Sequence, residues 1–340
     1  MISRRCSITP FLGGHLRTRY LFLLTYLYKV YFAFLATMRS RYTNHTMRSP
    51  TPTEDRADSW ATLLEFLYES PPDEPRERSP FIYHGLSNRE YRLTTSLCRF
   101  VGESGEWDME LQLLRDFNKY ATDFDEPESV WHLLSIAQHH GLPTRLLDWT
   151  RSPLVAAYFA TGGSPATDGV IWMVDYRRAH DKLPATLQAI RERESTDVFD
   201  IDVLADIEFE IEYETGVAAP INPVNGQRHQ SEVFHLRTIR EALEAFDSHH
   251  EGVCVLFFEP PAIDDRIVNQ SALFSVLSDP SLPLDDWLSR DPTQYRKVII
   301  PGELKAEIRE KLDQANINQR VLFPGLDGLT GWLREYHAVG

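Results

Sequence analysis

Residues 131–160 read WHLLSIAQHHGLPTRLLDWTRSPLVAAYFA, and no other stretch of the chain limits the fold as tightly. Side chains able to do chemistry (Gln138, His139, His140, Arg145, Asp148, Tyr158) are interleaved with Leu133, Leu134, Leu146, Leu147 and Val155, which must be core. Such mixing is stable only where each polar group finds a partner once water is removed. One reading makes Arg145 and Asp148 a buried tie in the loop between two helices. The other has them line a pocket, with Gly141 and Pro143 fixing a loop against a ligand. The two are compatible.

The flanking sequence supplies elements for this block to pack against. Asp58-Ser59 before Trp60, Leu63, Leu64, Phe66 and Leu67 predicts a capped helix with one apolar face, stopped by Pro71-Pro72. Phe81-Ile82-Tyr83 predicts a short strand ending at His84-Gly85. Helices are expected over Glu106–Tyr120, Pro127–His139, Leu154–Ala160 (behind a Ser152-Pro153 start) and Glu303–Ala315, with an amphipathic segment around Trp332 and Leu333 at the end. Strands are expected over Gly169–Asp175, Gly252–Glu259 and Arg296–Pro301. Ile207–Glu214 alternates apolar residues with glutamates, the pattern of a half-buried strand with a solvated acidic face.

Charge divides the chain. Every charged residue before Glu54 is a Lys or Arg, whereas the whole chain carries a formal net charge of −15. Residues 1–57 therefore read as a basic leader and 58–337 as the folded domain. Within the leader, 20–38 (YLFLLTYLYKVYFAFLATM) is nearly long enough to cross a bilayer but has Lys29 at its centre. A membrane anchor, a cleaved signal and a start codon placed too early all remain open for it. Membrane contact is expected through 20–38 alone. The acidic balance argues against a broad surface for duplex nucleic acid. Cys6, Cys98 and Cys254 are widely separated, which argues against disulfides and a thiolate zinc site and makes the cytoplasm the default compartment.

Several segments together resemble a known family: Phe81-Ile82-Tyr83-His84-Gly85 with Leu93, Ser96, Leu97 and Arg99-Phe100 downstream; Gln138 to Thr150 with Tyr158-Phe159-Ala160; Arg266, Gln270 and Phe274; and Phe323-Pro324 with Leu326-Asp327-Gly328. They resemble the FRG-domain family, a bacterial family named for a Phe-Arg-Gly motif near the domain start. The resemblance spans about residues 58–337 and departs from the family at His84, where arginine usually precedes the glycine. With the expected elements it implies an α+β fold, a single mixed domain of helices around a small, mostly antiparallel sheet.

The strand ending in His84-Gly85 is also similar to the first motif of ADP-ribosyltransferases, in the diphtheria-toxin and poly(ADP-ribose) polymerase branch. That second resemblance implies an ADP-ribosyltransferase-like fold, NAD as substrate with no permanently bound cofactor, and His84 holding the ribose or phosphates. It also implies a tyrosine stacked on nicotinamide, for which Tyr158 is the candidate, and a third polar or acidic residue, for which Gln270 or Glu232 is the candidate. Gly85 would allow close backbone approach to the nucleotide, and Gln138, His139, Arg145, Asp148 and Arg266 are the expected ligand-binding set. Cleaving the nicotinamide–ribose bond develops oxocarbenium character, which dipolar or negative groups stabilise without a metal. A toxin or phage-defence effector with a macromolecular target would fit. The competing expectation is a non-catalytic module that uses the same pocket to recognise a nucleotide or a partner.

Other chemistries find less in the sequence. His132, His139 and His140 with Asp148 have no established metal spacing. The chain lacks the G-x-S-x-G elbow, G-x-x-x-x-G-K-[ST] and G-x-G-x-x-G. Neither Cys98 nor Cys254 has a neighbouring motif that would activate its thiol.

Overall fold

The computed structural model describes residues 53–68, 79–102, 105–121, 127, 129–205, 236–248 and 252–337. The expected 207–214 strand, the 20–38 segment and Glu232 lie outside them. Strands β1 (Thr53–Arg56), β2 (Phe81–Leu86), β3 (Leu147–Thr150), β4 (Gly169–Asp175), β5 (Val255–Phe258), β6 (Ala272–Leu277) and β7 (Tyr295–Ile300) form a seven-stranded sheet in the order β1-β7-β4-β2-β3-β6-β5. Only β1 and β7 run parallel; every other neighbouring pair is antiparallel. The helices are α1 (Trp60–Tyr68), α2 (Ser96–Val101), α3 (Asp108–Tyr120), α4 (Val130–His139), α5 (Pro153–Ala160), α6 (Tyr176–His180), α7 (Ala185–Glu194), α8 (Leu236–Ser248), α9 (Asp265–Asn269), α10 (Leu284–Leu288), α11 (Lys305–Gln314), α12 (Gln319–Leu322) and α13 (Leu326–His337). The fold is α+β, and among the described residues no helix is long and apolar enough to cross a membrane.

Local signals set most boundaries. Ser129 Oγ accepts from the His132 N–H at 3.2 Å and starts α4, three residues after the expected Pro127. Ser152 Oγ caps α5 ahead of Pro153 in the first turn. Three strands are additional to the sequence reading. β1 falls inside the stretch assigned to the leader, and Ala57 just after it is fully buried. β3 and β6 are short and carry few alternating residues. Strand β2 also runs past its expected end, through His84 and Gly85 to Leu86, because all six residues pair with β4.

One face of the sheet packs Ile82, Trp149, Trp172, Phe257, Leu273 and Ile299 against Leu284, Trp287 and Leu288 of α10. The opposite face carries two cores. Tyr83, Ile171, Met173, Val298 and Ile300 meet α1, α5 and α11, while Leu256, Phe258, Phe274 and Val276 meet α4, α7 and α8. Asp148 pairs with Phe274 and Thr150 with Tyr83, so these polar side chains of β3 stand at the seam between the two cores.

Helix α5 approaches β2 and β4 at backbone distance. A Cβ on Gly85 would lie 1.9 Å from the Ala156 carbonyl oxygen, and one on Gly169 would lie 2.1 Å from that of Ala160. Gly85 thus admits the helix, which occupies the space that the sequence reading reserved for a nucleotide. In the second core Arg145 sits 6% exposed, its Nε donating to Glu110 Oε2 at 2.7 Å and its Nη1 to Asp247 Oδ1 at 2.6 Å. Glu110 Oε1 also accepts the Arg145 backbone N–H at 2.8 Å. The expected Arg145–Asp148 tie is replaced by this triad, and burial pushes Asp247 up to about 6 against the pull of Arg145. His180, fully buried, donates from Nδ1 to the Asp197 carbonyl and accepts the Phe257 N–H at Nε2. Both ring nitrogens are committed to the neutral form, and burial pushes its pKa down to about 4.

Three outcomes are expected from this packing. Gly85→Ala should lower stability by roughly 1–3 kcal/mol in thermal or urea denaturation, because the clash is with helix backbone that no rotamer change relieves. Arg145→Ala should cost about 3–5 kcal/mol, because Glu110 is left charged and buried. Acid should destabilise the chain through His180: above pH 6.5 both states are neutral there, and below it the unfolded chain takes a proton that the fold resists. The loss between pH 6.5 and about 4 should approach ~3 kcal/mol. His180→Gln should flatten that part of the stability–pH curve at the expense of stability at pH 7.

Candidate functional site

Strand β2 pairs with β4 from Phe81–Asp175 to Leu86–Val170, yet meets β3 only at Tyr83–Thr150. Past that pair the two central strands part, and the imidazole of His84 fills the gap. Its Nδ1 lies 2.6 Å from the Asp148 carbonyl oxygen. A carbonyl can only accept, so the proton sits on Nδ1 and Nε2 keeps its lone pair. The ring rests 5.5 Å from that of Trp149. Burial pushes the His84 pKa down to about 4, more than the Asp148 carbonyl raises it, and the charge of Arg99 adds to the lowering.

The Asp148 carboxylate lies on the other side of β3 from the His84 ring, on the face of its cross-strand partner Phe274. Solvent reaches it, although protein surrounds it closely enough that burial lifts its pKa above the ordinary carboxylate range. Gln138 Nε2 donates to Asp148 Oδ2 at 2.9 Å, and Arg266 and Arg99 act on the carboxylate electrostatically. The orientation of Gln138 is itself determined. The ionised Asp148 carboxylate can only accept, so the amide NH2 faces it, and Gln138 Oε1 accepts from Thr144 Oγ1 at 2.6 Å while that hydroxyl accepts the Leu146 N–H at 3.2 Å. Ser96, in the first turn of α2, accepts the Thr144 N–H at 3.0 Å and anchors the strand entry from the other side.

Helix α9 brings Arg266 to the rim. Asp264 caps that helix through Oδ1, accepting the Arg266 and Ile267 N–H groups, and its Oδ2 lies 2.6 Å from His139 Nε2. Arg266 Nη1 reaches the His139 carbonyl at 3.4 Å, and its guanidinium lies over the Phe323 ring at 5.1 Å. Burial lowers the His139 pKa, Asp264 opposes that, and Arg266 reinforces it. Asn269 Nδ2 donates to the Val321 carbonyl and Gln270 Nε2 to that of Leu322, each at 2.8 Å, fastening α9 to α12.

The structure therefore brings Gln138, His139, Asp148 and Arg266 of the expected set together, with the His84 ring held by the Asp148 carbonyl from the other face of the sheet. It places the others elsewhere. Arg145 is in the Glu110–Asp247 triad, and Gly85 faces α5. Tyr158 is 6% exposed, its ring beneath the Arg309 guanidinium at 3.8 Å and edge-on to Phe159 at 5.6 Å. The Gln270 amide is engaged by α12 and its backbone carbonyl by Thr150 Oγ1 at 2.6 Å. His84, Tyr158 and Gln270 share no partner among the described contacts. Glu232 lies outside the described residues.

Sequence reasoning did not assign Arg99, Thr144, Ser96 or Asp264 to the site. Asp264 was open to detection as an N-cap, since it precedes Asp265 and the apolar pair Ile267-Val268. Arg99, Ser96 and Thr144 stood in the segments that carry the family resemblance, which gave them no role. Among the described residues no three His, Cys, Asp or Glu side chains gather as a metal ion would require.

Comparison with curated proteins and with solved structures returns no match. The family model of the FRG domain matches residues 79–168, which contain His84, Arg99, Gln138, His139 and Asp148 and leave Arg266 and Phe323 to the sequence beyond. The fork between β2 and β3, with the Gln138, Thr144 and Ser96 contacts beside it, thus lies in the stretch that is similar to the FRG domain.

Proposed function

We propose that the fork binds NAD and that the domain transfers its ADP-ribose to a macromolecular acceptor, as a toxin or phage-defence effector would. The supporting observation is the Asp148 carboxylate, fixed by Gln138 and within the electrostatic reach of Arg99 and Arg266, on the strand whose backbone carbonyl holds the neutral imidazole of His84. Guanidinium groups suit the pyrophosphate. A carboxylate and an imidazole lone pair suit hydroxyl donors such as those of ribose. The positions of Tyr158 and Gln270 support a second reading, a recognition module that binds the nucleotide without cleaving it, because neither side chain is turned to the fork.

Calorimetric titration of the folded chain with NAD, with nicotinamide release followed in parallel, separates the readings. Binding with release is expected. Arg266→Gln should weaken binding by roughly tenfold or more, the worth of a charge-assisted contact, with little change in melting temperature. His84→Ala should abolish binding. Binding without release would favour the recognition module, and no binding by the folded wild type would remove both readings.

A further inference from the structure

The site offers two groups able to accept a proton, Asp148 and His139, and His139 Nε2 is engaged by Asp264 at 2.6 Å. Transfer to an acceptor hydroxyl breaks the C–N bond to nicotinamide, whose electron pair leaves with the neutral base, and leaves an oxocarbenium ion at the ribosyl carbon. The acceptor oxygen then forms the new C–O bond and must lose its proton. Gln270, one of the two residues first considered for the third catalytic position, cannot fill this role: an amide is not a base, and its NH2 is held by the Leu322 carbonyl. His84 is a poor base, with Nδ1 protonated against the Asp148 carbonyl and a pKa near 4.

We infer that Asp148 is the catalytic carboxylate of the fork, taking the proton of the acceptor hydroxyl as the ribosyl carbon is attacked, and that Gln138 is its positioning residue. This assignment rests on the transferase reading above. The geometry is that of a prepared base. One oxygen, Oδ2, accepts from Gln138 Nε2, and the Gln138 amide oxygen is held in turn by the Thr144 hydroxyl. Solvent, and hence an acceptor, reaches the carboxylate, and a negative charge next to the ribosyl carbon would stabilise its oxocarbenium character. The proton passes from Asp148 to solvent and restores the carboxylate for the next turnover. Burial brings its pKa closer to neutrality, which favours a general base. The charged groups that set its titration are Arg99 from α2 and Arg266 from α9; His84 from β2 is neutral, and Gln138 from α4 favours the ionised form through its hydrogen bond.

The test measures steady-state nicotinamide release from NAD by the full chain, with water or an added hydroxyl compound as acceptor. Asp148→Asn preserves shape and its amide oxygen still accepts the Gln138 bond, so the fold is expected to persist, while the loss of a carboxylate acceptor weakens NAD binding by about tenfold at most. Its kcat should fall at least about a hundredfold, a loss beyond the change in KM. Gln138→Leu should lower kcat by about tenfold and move the acid limb of the kcat–pH profile upward, because the bond that holds the Asp148 carboxyl down is gone; a merely structural role would leave that midpoint in place. An Asp148→Asn variant that keeps wild-type kcat, or loses only affinity, overturns the assignment while the transferase reading stands. A folded wild-type chain that releases no nicotinamide overturns both.

Discussion

The parting of β2 and β3 is the constraint on which the rest of the site depends. In an uninterrupted antiparallel ladder the Asp148 carbonyl would be satisfied by a backbone N–H of the neighbouring strand. Here the His84 ring nitrogen takes that acceptor, so the sheet can open without leaving a buried carbonyl unpaired. The substitution has a chemical consequence. It fixes the tautomer of His84 and ties the ring to the strand that carries the carboxylate. An arginine in this place, as the family usually has, would offer several donors and a permanent charge, so the neutral acceptor at the fork is particular to histidine at this position.

The opening has to be supported from both sides, and the two supports differ. On the β2 side the support is apolar and close. Gly85 and Gly169 let α5 lie on the strands at backbone distance, and Tyr158 completes that core rather than entering the fork. On the β3 side it is polar. Arg145 joins Glu110 of α3 to Asp247 of α8, and Gln138, Thr144 and Ser96 join α4, the β3 entry and α2. Burying these groups is costly, and their hydrogen bonds recover only part of that cost. They do fix where α4 stands relative to β3, and that spacing keeps Gln138 within reach of Asp148.

The parts of this arrangement legible in the sequence are those specified locally. Helix α4 follows from apolar spacing and α5 from its Ser152-Pro153 start, and strands β4, β5 and β7 from continuous apolar runs. The grouping of Gln138, His139, Asp148 and Arg266 was also open to inference, from a polar block embedded in core residues and from a family resemblance. What the sequence conceals is pairing at a distance. Arg145 and Asp148 lie three residues apart and invite a local tie, yet Arg145 sits at the bend before β3 and Asp148 within the strand, and Arg145 finds its partners on α3 and α8. Tyr158 resembles a stacking residue in one dimension, but the face it occupies on α5 is decided by where the two glycines let the helix dock.

Gln270 shows how the same concealment bears on function. A glutamine that closes a short helix before a strand looks like a residue of the site, and in space it is only one step away from it. Its amide, with that of Asn269, grips consecutive carbonyls at the end of α12, and its own carbonyl receives Thr150 from β3. The effect is to hold α9 between β3 and α12, with Phe323 beneath the Arg266 guanidinium. The guanidinium is thereby set at the rim by contacts that the ligand does not have to create, which lowers the ordering cost of binding an anionic group there. The C-terminal signature around Phe323 and the Gln138–Asp148 block, far apart in the chain, therefore act on the same few atoms: one places the cation at the rim, and the other fixes the carboxylate.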